Sequence, residues 1–543
     1  MSEIAPGAGS LSRLANAILV PPFPGPAAPR WVLLALESGL AGVTLFGTNV
    51  SGPGQLSELT AALRAAAPEP VIAIDEEGGD VTRLAHLTGS PYPGNAALGA
   101  VDDVRLTRAV YRALGTDLAA VGINVDLAPS VDVNTAAGNP VIGTRAFGDR
   151  TDLVSRHAAA AVEGLQSAGV AACAKHFPGH GSTRDDTHHV LASVEGGLPR
   201  VRERDLPPFA AAIAAGAAAI MPGHLRVAGL TDGLPATQSP AALGGLLRGE
   251  LGFTGLIISD ALEMRAVSGR DGVESAAVRA VGAGVDLLCL GRDQDEEDYR
   301  AVRAALAAAV TAGELPVARL EDAAVRVATF RAALAASGRH GAAPGTPGLP
   351  GPAARPGAPG PAPRDSGHGA DDTGDGIGLA AARRALRVSG LPGPVTNPLV
   401  IEVAPPGNVA VGTVPWGLAP WLPAGSVVQV PAGGARADRQ VSQALARAAD
   451  RPVIAVVRDA HRDPGAQAVI TSLLARRPDT IMVEMGLPVW RPPARVYLAT
   501  YGASRTSGQA AAEMLGLTAA GAGRPARGRV SRTGSRSRGQ PSA

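Results

Sequence analysis

Eight short apolar runs, separated by helix-like stretches, recur through the first 336 residues. They fall at 17–21, 42–46, 71–75, 123–132, 170–176, 219–224, 255–260 and 285–290. Each is largely β-branched or otherwise apolar, as expected of parallel strands buried on both faces. Helical patterns occupy 56–66, 103–120, 152–168, 207–215, 241–251, 275–283 and 297–312. Such alternation is compatible with a doubly wound open sheet or a (β/α)8 barrel, and the count of eight favours the barrel. Polar residues gather at the C-terminal ends of the runs: Asp75 with Glu76 and Glu77, Asp126 and Asp132, Lys175 and His176, His224, and Asp260. In a parallel barrel those ends share one face, and that face carries the chemistry.

A chain of 543 residues exceeds what one core supports, so two domains and a linker are expected. The barrel fills 1–336, and a Pro/Gly-rich linker, too poor in large apolar groups to pack, fills 337–378. From 379 to 518 apolar runs at 399–403, 427–430, 453–457, 480–484 and 496–500 alternate with helical patterns at 436–449, 466–475 and 508–515. That pattern predicts a smaller open-sheet α/β domain, without a phosphate loop or G-x-G-x-x-G. The tail, 519–543, has six arginines and no acid and is read as disordered.

A net charge of +1 gives no bulk electrostatic reason to expect nucleic acid or a membrane surface as a partner. Cys173 and Cys289 form neither a disulfide framework nor a metal-ligand spacing. No stretch reaches membrane-span length and the first residues lack a signal-peptide pattern, so a cytoplasmic location is expected.

The stretch 174–189, AKHFPGHGSTRDDTHH, concentrates the chemistry. It holds Lys175, the sole lysine beside 48 arginines, and four of ten histidines, His176, His180, His188 and His189. A compact ammonium is not interchangeable with a guanidinium, so its retention here implies a specific need. Lys175 and His176 end the fifth strand, and Pro178, Gly179 and Gly181 turn the chain into a polar loop. Asp186 and His188, two apart, suit a carboxylate-oriented imidazole for general acid/base work. A metal site is the competing reading, but the spacings match no standard zinc pattern. Asp260, after a buried strand, is the candidate nucleophile, and a nucleophile paired with an acid/base describes a retaining glycosidase.

With these residues in place, KHFPGHGSTRDDTH resembles the K-H-F-P-G-H-G-D-T-x-x-D-S-H marker of glycoside hydrolase family 3, in its β-N-acetylglucosaminidases. Ser182 stands where that marker has Asp and Thr187 where it has Ser. IDEEGGDVTRL and GNPVIGTRAFG resemble two further motifs of the family in the same order, and SDALEM occupies the place of its nucleophile motif. The resemblance implies Asp260 as nucleophile and Asp186 with His188 as the acid/base dyad. It implies sugar contacts from Asp75, Arg83, Arg145, Lys175 and His176. It implies a β-GlcNAc glycoside such as a muropeptide as substrate, a place in peptidoglycan turnover, and no metal or organic cofactor. A phosphorylase using phosphate as acceptor, a β-glucosidase of the same family and a sugar-binding protein without activity are the alternatives. Natural aglycone, oligomeric state and the role of the second domain are not encoded in these motifs.

Overall fold

The computed structural model describes residues 8–187, 190–269, 271–340, 374–393, 395–404 and 408–517. The linker expected at 337–378 lies mostly outside the described residues, as do the tail, His188 and His189. Two helices reach into that linker: Val317–His340 at its start and Gly374–Ala385 at its end.

The first strands are β1 (Leu19–Val20), β2 (Gly42–Leu45), β3 (Val71–Ile74), β4 (Val125–Asp126), β5 (Ala171–Phe177), β6 (Ala219–Pro222), β7 (Leu256–Ile257) and β8 (Leu288–Cys289). Each coincides with one of the eight apolar runs. Strands β2 to β7 pair in parallel, in chain order, as a half-barrel sheet. The parallel pair β1–β8 lies across its open side. There Ser259 N–H donates to Leu287 O at 2.9 Å, and Thr44 N–H donates to Pro21 O at 3.3 Å. The strand positions are buried throughout, which is why they read as apolar runs rather than as alternation. The helices Pro53–Ala66, Val104–Ala120, Thr151–Ser167, Leu206–Ala214, Gly272–Ala283 and Glu296–Thr311 pack outside, within a residue or a few of the periodic patterns. Asp103 caps the second of these by accepting from Arg105 N–H and Leu106 N–H.

A second sheet follows, built from β9 (Arg387–Ser389), β10 (Leu399–Val403), β11 (Val427–Val430), β12 (Val453–Val457), β13 (Ile481–Glu484) and β14 (Val496–Ala499), in the order β9-β14-β13-β12-β10-β11. Only β9 is antiparallel; it is a short exposed edge strand without an apolar run, which hid it in the sequence. Helices Gly434–Ala448 and Pro464–Arg476 cover one face of the sheet, and Arg505–Met514 covers the other. The order reverses between β10 and β12, and a crevice outside the carboxyl ends of strands at such a switch point is the usual ligand-facing edge of an open α/β sheet. Here that edge turns toward the barrel. Asn408 Nδ2 donates to Pro140 O (3.2 Å), Arg458 pairs with Asp80 (3.4 Å), and Arg462 donates to Pro140 O (3.1 Å).

Glu484, at the end of β13, is buried and accepts from the N–H groups of Asp459 (2.8 Å) and Gly486 (2.7 Å). Burial, reinforced by the Asp459 charge, pushes its carboxyl up to about 8. A folded state that holds this proton more tightly has full stability below the unfolded value. That stability is lost as pH rises from about 4.5 to about 8. Thermal melts across that range are expected to show the decline, and Glu484→Gln is expected to flatten it; an unchanged slope in the variant would refute the assignment.

Candidate active site

The C-terminal ends of the barrel strands open into a cavity of about 480 Å³, a size suited to a small ligand. Asp75, Arg83, Arg145, Lys175, His176 and Asp260, six of the residues singled out in the sequence, all line it. Asp75 follows β3, Lys175 and His176 are on β5, and Asp260 follows β7, so residues up to 185 apart in the chain converge as strand ends of a parallel barrel must. Lys175 and His176 are neighbours on one strand, and regular alternation would send them to opposite faces. The pairing of β5 with β6 shifts register between Lys175 and Phe177, and this irregularity lets both face the cavity.

Lys175 is 3% exposed, and its ammonium meets Asp75 Oδ1 at 2.6 Å and Glu77 Oε1 at 2.8 Å. Glu77 is also held by Arg145, with Nε at 2.9 Å from Oε2 and Nη2 at 2.7 Å from Oε1. Burial by itself would raise the Glu77 carboxyl, but Arg145 and then Lys175 hold it well below the usual carboxylate range. Lys175 is raised in turn, the charges of Asp75 and Glu77 outweighing its burial. Glu77, one of a run of polar residues in the sequence, is thus the hub between the only lysine and Arg145. Nothing in its spacing distinguished it from Glu76. Glu76 instead accepts from the N–H groups of Arg83 (2.8 Å) and Leu84 (2.9 Å), which seats Arg83; burial raises its carboxyl to about 7.

His176 Nδ1 lies 2.7 Å from Asp132 Oδ2, and Arg145 Nη2 lies 3.3 Å from its Nε2. With Asp132 taking the Nδ1–H, Nε2 is left to accept from the guanidinium, so the ring orients Arg145. Asp132 also accepts from Ser130 Oγ–H and from the backbone N–H groups of His176 and His180.

Asp260 is partly exposed, and its Oδ1 accepts the Ala261 N–H at 2.8 Å. His224, another strand-end residue, is buried outside the cavity wall and bonds the Ala261 carbonyl through Nε2 (2.9 Å), steadying the turn that carries Asp260. Glu263, which the sequence reading passed over, also lines the cavity. Its carboxylate occupies the space a side chain at position 291 would fill, so a residue larger than Gly291 would displace it. Burial, and then the Asp260 charge, raises its carboxyl to about 7.

Asp186 lies on the loop after β5, half-buried, with its carbonyl accepting from Val190 N–H at 3.0 Å. Its expected partner His188 is outside the described residues. The root of this loop is anchored at Ser182, whose Oγ accepts from Arg204 Nη2 (2.8 Å) and from Glu195 N–H (3.2 Å). Arg204 is paired side-on with Asp205 through Nε (3.0 Å) and Nη2 (2.8 Å). A serine suffices at 182 because the carboxylate that balances Arg204 is supplied by Asp205.

The second sheet completes the wall. Residues 409–414, which follow β10, line the cavity, and Arg83 Nη2 donates to Ala410 O at 3.0 Å across 327 residues of sequence. Among the described residues no three His, Cys, Asp or Glu side chains group as a metal site.

The model of the glycosyl hydrolase family 3 N-terminal domain matches residues 32–330. The chain belongs to glycosyl hydrolase family 3. It is 33% identical over 321 residues to β-hexosaminidase A of Pseudoalteromonas piscicida, a match spanning 54% of each chain, so it covers about half of that relative. It is 37% identical over 285 residues to β-hexosaminidase LpqI of Mycobacterium tuberculosis, covering 51% of this chain and 71% of the relative. The solved family 3 β-N-acetylglucosaminidase of Paenibacillus sp. str. FPU-7 superposes with a TM-score of 0.78 at 31% identity, over 93% of this chain and 96% of that one. That likeness extends through both sheets, beyond the barrel to which the sequence motifs are confined.

Proposed function

We propose that this family 3 enzyme hydrolyses terminal β-linked GlcNAc from muropeptides or related glycosides, with retention and through a glycosyl-enzyme intermediate. It is a glycoside hydrolase of the β-N-acetylhexosaminidase type. The observation that carries the reading is the convergence of Asp260 with Asp75, Arg83, Arg145, Lys175 and His176 on one cavity of about 480 Å³. The eight strands are taken as a closed (β/α)8 barrel with the second sheet as a separate α/β domain. In the proposed reaction the Asp260 carboxylate attacks the anomeric carbon while the Asp186–His188 pair delivers a proton to the leaving oxygen. The pair then takes a proton from water, which cleaves the glycosyl ester. Asp75, Lys175 and Arg145 bind the ring hydroxyls, and the ion pairs of Lys175 with Asp75 and Glu77 and of Arg145 with Glu77 preset the geometry before substrate arrives. A cytoplasmic location would make imported cell-wall fragments the substrate.

The test compares a chromogenic β-GlcNAc with the matching β-glucoside, each with and without millimolar phosphate. The expected result is release of free GlcNAc from the first substrate, unaffected by phosphate. GlcNAc-1-phosphate as product would replace hydrolysis with phosphorolysis, and faster turnover of the glucoside would overturn the sugar assignment.

A further inference from the structure

We propose that His180 is a positioning residue that latches the acid/base loop to the sugar-binding wall, through a hydrogen bond from Thr187 to its Nε2. The inference rests on the glycosidase reading above and names a residue for which that reading has no role.

His180 is 2% exposed and lines the cavity with Thr187. Both ring nitrogens have hydroxyl partners: Nδ1 lies 2.7 Å from Thr183 Oγ1, and Nε2 lies 3.2 Å from Thr187 Oγ1. The proton positions follow from counting donors. Thr183 has one hydroxyl proton, which it donates to the His180 carbonyl at 3.0 Å. Toward Nδ1 it therefore accepts, so Nδ1 carries the ring proton. Nε2 is then an acceptor, and the Thr187 hydroxyl donates to it. The neutral ring this requires is favoured by burial, the main cause that lowers His180 to about 4.

The latch ties two parts of the site. On one side, the His180 N–H donates to Asp132 Oδ1 at 2.6 Å, the carboxylate whose other oxygen holds His176. The two imidazoles also meet edge to face with centroids 5.9 Å apart. Asn139 Nδ2 fixes the His180 carbonyl at 2.9 Å. On the other side, Thr187 directly follows Asp186, whose carbonyl accepts from Val190 N–H at 3.0 Å. Asp132 thus orients the wall that grips the sugar and, through His180, Thr187 beside the proposed acid/base pair. The sequence spacing supports the same division. A hydroxyl at 183 and another at 187 are reached from one ring, and serine at 187 would supply the same donor.

The experiment separates positioning from folding by leaving-group dependence. A glycoside with a poor leaving group, such as methyl β-GlcNAc or a β-GlcNAc disaccharide, requires protonation of the departing oxygen, whereas the 2,4-dinitrophenyl glycoside does not. kcat/KM reports the glycosylation step for both. Thr187→Val keeps the side-chain shape and removes the donor. It is expected to lower kcat/KM on the poor leaving group by about 10²-fold, a part of what general acid catalysis supplies, with a change under about threefold on the dinitrophenyl glycoside. Thr187→Ser restores the donor and is expected to stay within about threefold of the wild type on both substrates. His180→Asn, which loses Nε2, is expected to behave like Thr187→Val. Equal losses on the two substrates, or an unchanged kcat/KM for Thr187→Val on the poor leaving group, would overturn the latch. Failure of the wild type to turn over either glycoside would instead overturn the underlying glycosidase reading.

Discussion

Asp260→Ala is expected to lower turnover of a β-GlcNAc glycoside by at least about 10⁴-fold, the scale on which loss of a catalytic nucleophile is felt. Its thermal midpoint should stay close to that of the wild type. The side chain is partly exposed at the strand end, where its Oδ1 accepts the adjacent Ala261 N–H. The alanine also leaves room beside the anomeric carbon. Added azide is therefore expected to restore turnover of an activated substrate and to yield the α-glycosyl azide, the configuration opposite to the wild-type product. Full activity in the variant, or a β-configured azide adduct, would remove Asp260 from the nucleophile's place. With the Asp260 charge gone, Glu263 should titrate lower, because that charge is the cause, after burial, that raises it.

Lys175→Met carries the largest expected effect on stability. The ammonium is 3% exposed between Asp75 and Glu77, and removing one partner of a buried ion pair leaves uncompensated charge at a cost of about 3–5 kcal/mol. Urea titration of wild type and variant measures it; a loss below about 1 kcal/mol would show that Arg145 alone suffices for Glu77. Lys175→Arg is not expected to rescue. A planar guanidinium cannot meet two carboxylates 2.6 and 2.8 Å away from the position of a single nitrogen. The pH dependence follows from Glu77. Its folded value is depressed, so its contribution is present above the unfolded carboxylate value and is lost as pH falls through the acid range. Removing Lys175 weakens that depression, so the acid limb of stability should move to higher pH.

The wall contributed by residues 409–414 bears on both results. Arg83 spans from the Glu76 cap to the Ala410 carbonyl, so the barrel and the second sheet hold the cavity jointly. The likeness to the Paenibacillus structure over 93% of the chain agrees with a site that is built from both.

The sequence by itself determined the barrel strands, most of the helices between them (though not Arg30–Glu37 or Asn95–Val101) and the placement of Asp75, Lys175, His176 and Asp260 on one rim. These follow from local periodicity: a buried parallel strand needs an apolar run, and parallel strands put their ends together whatever lies between. Motif order was enough to indicate the family. Edge strand β9 escaped because it has no apolar run, and the helix Gly374–Ala385 began inside a stretch whose Pro/Gly composition masked it. Only the tertiary structure decided which charges meet. Glu76 and Glu77 are adjacent and alike in sequence, yet one caps backbone N–H groups while the other bridges Lys175 and Arg145. Arg204 is balanced by its neighbour Asp205 while it also bonds Ser182, and His180 reads as one histidine among four until two hydroxyls are seen at its two nitrogens. Ion pairs and hydrogen bonds of this kind depend on through-space direction at ångström precision, which spacing along the chain does not encode.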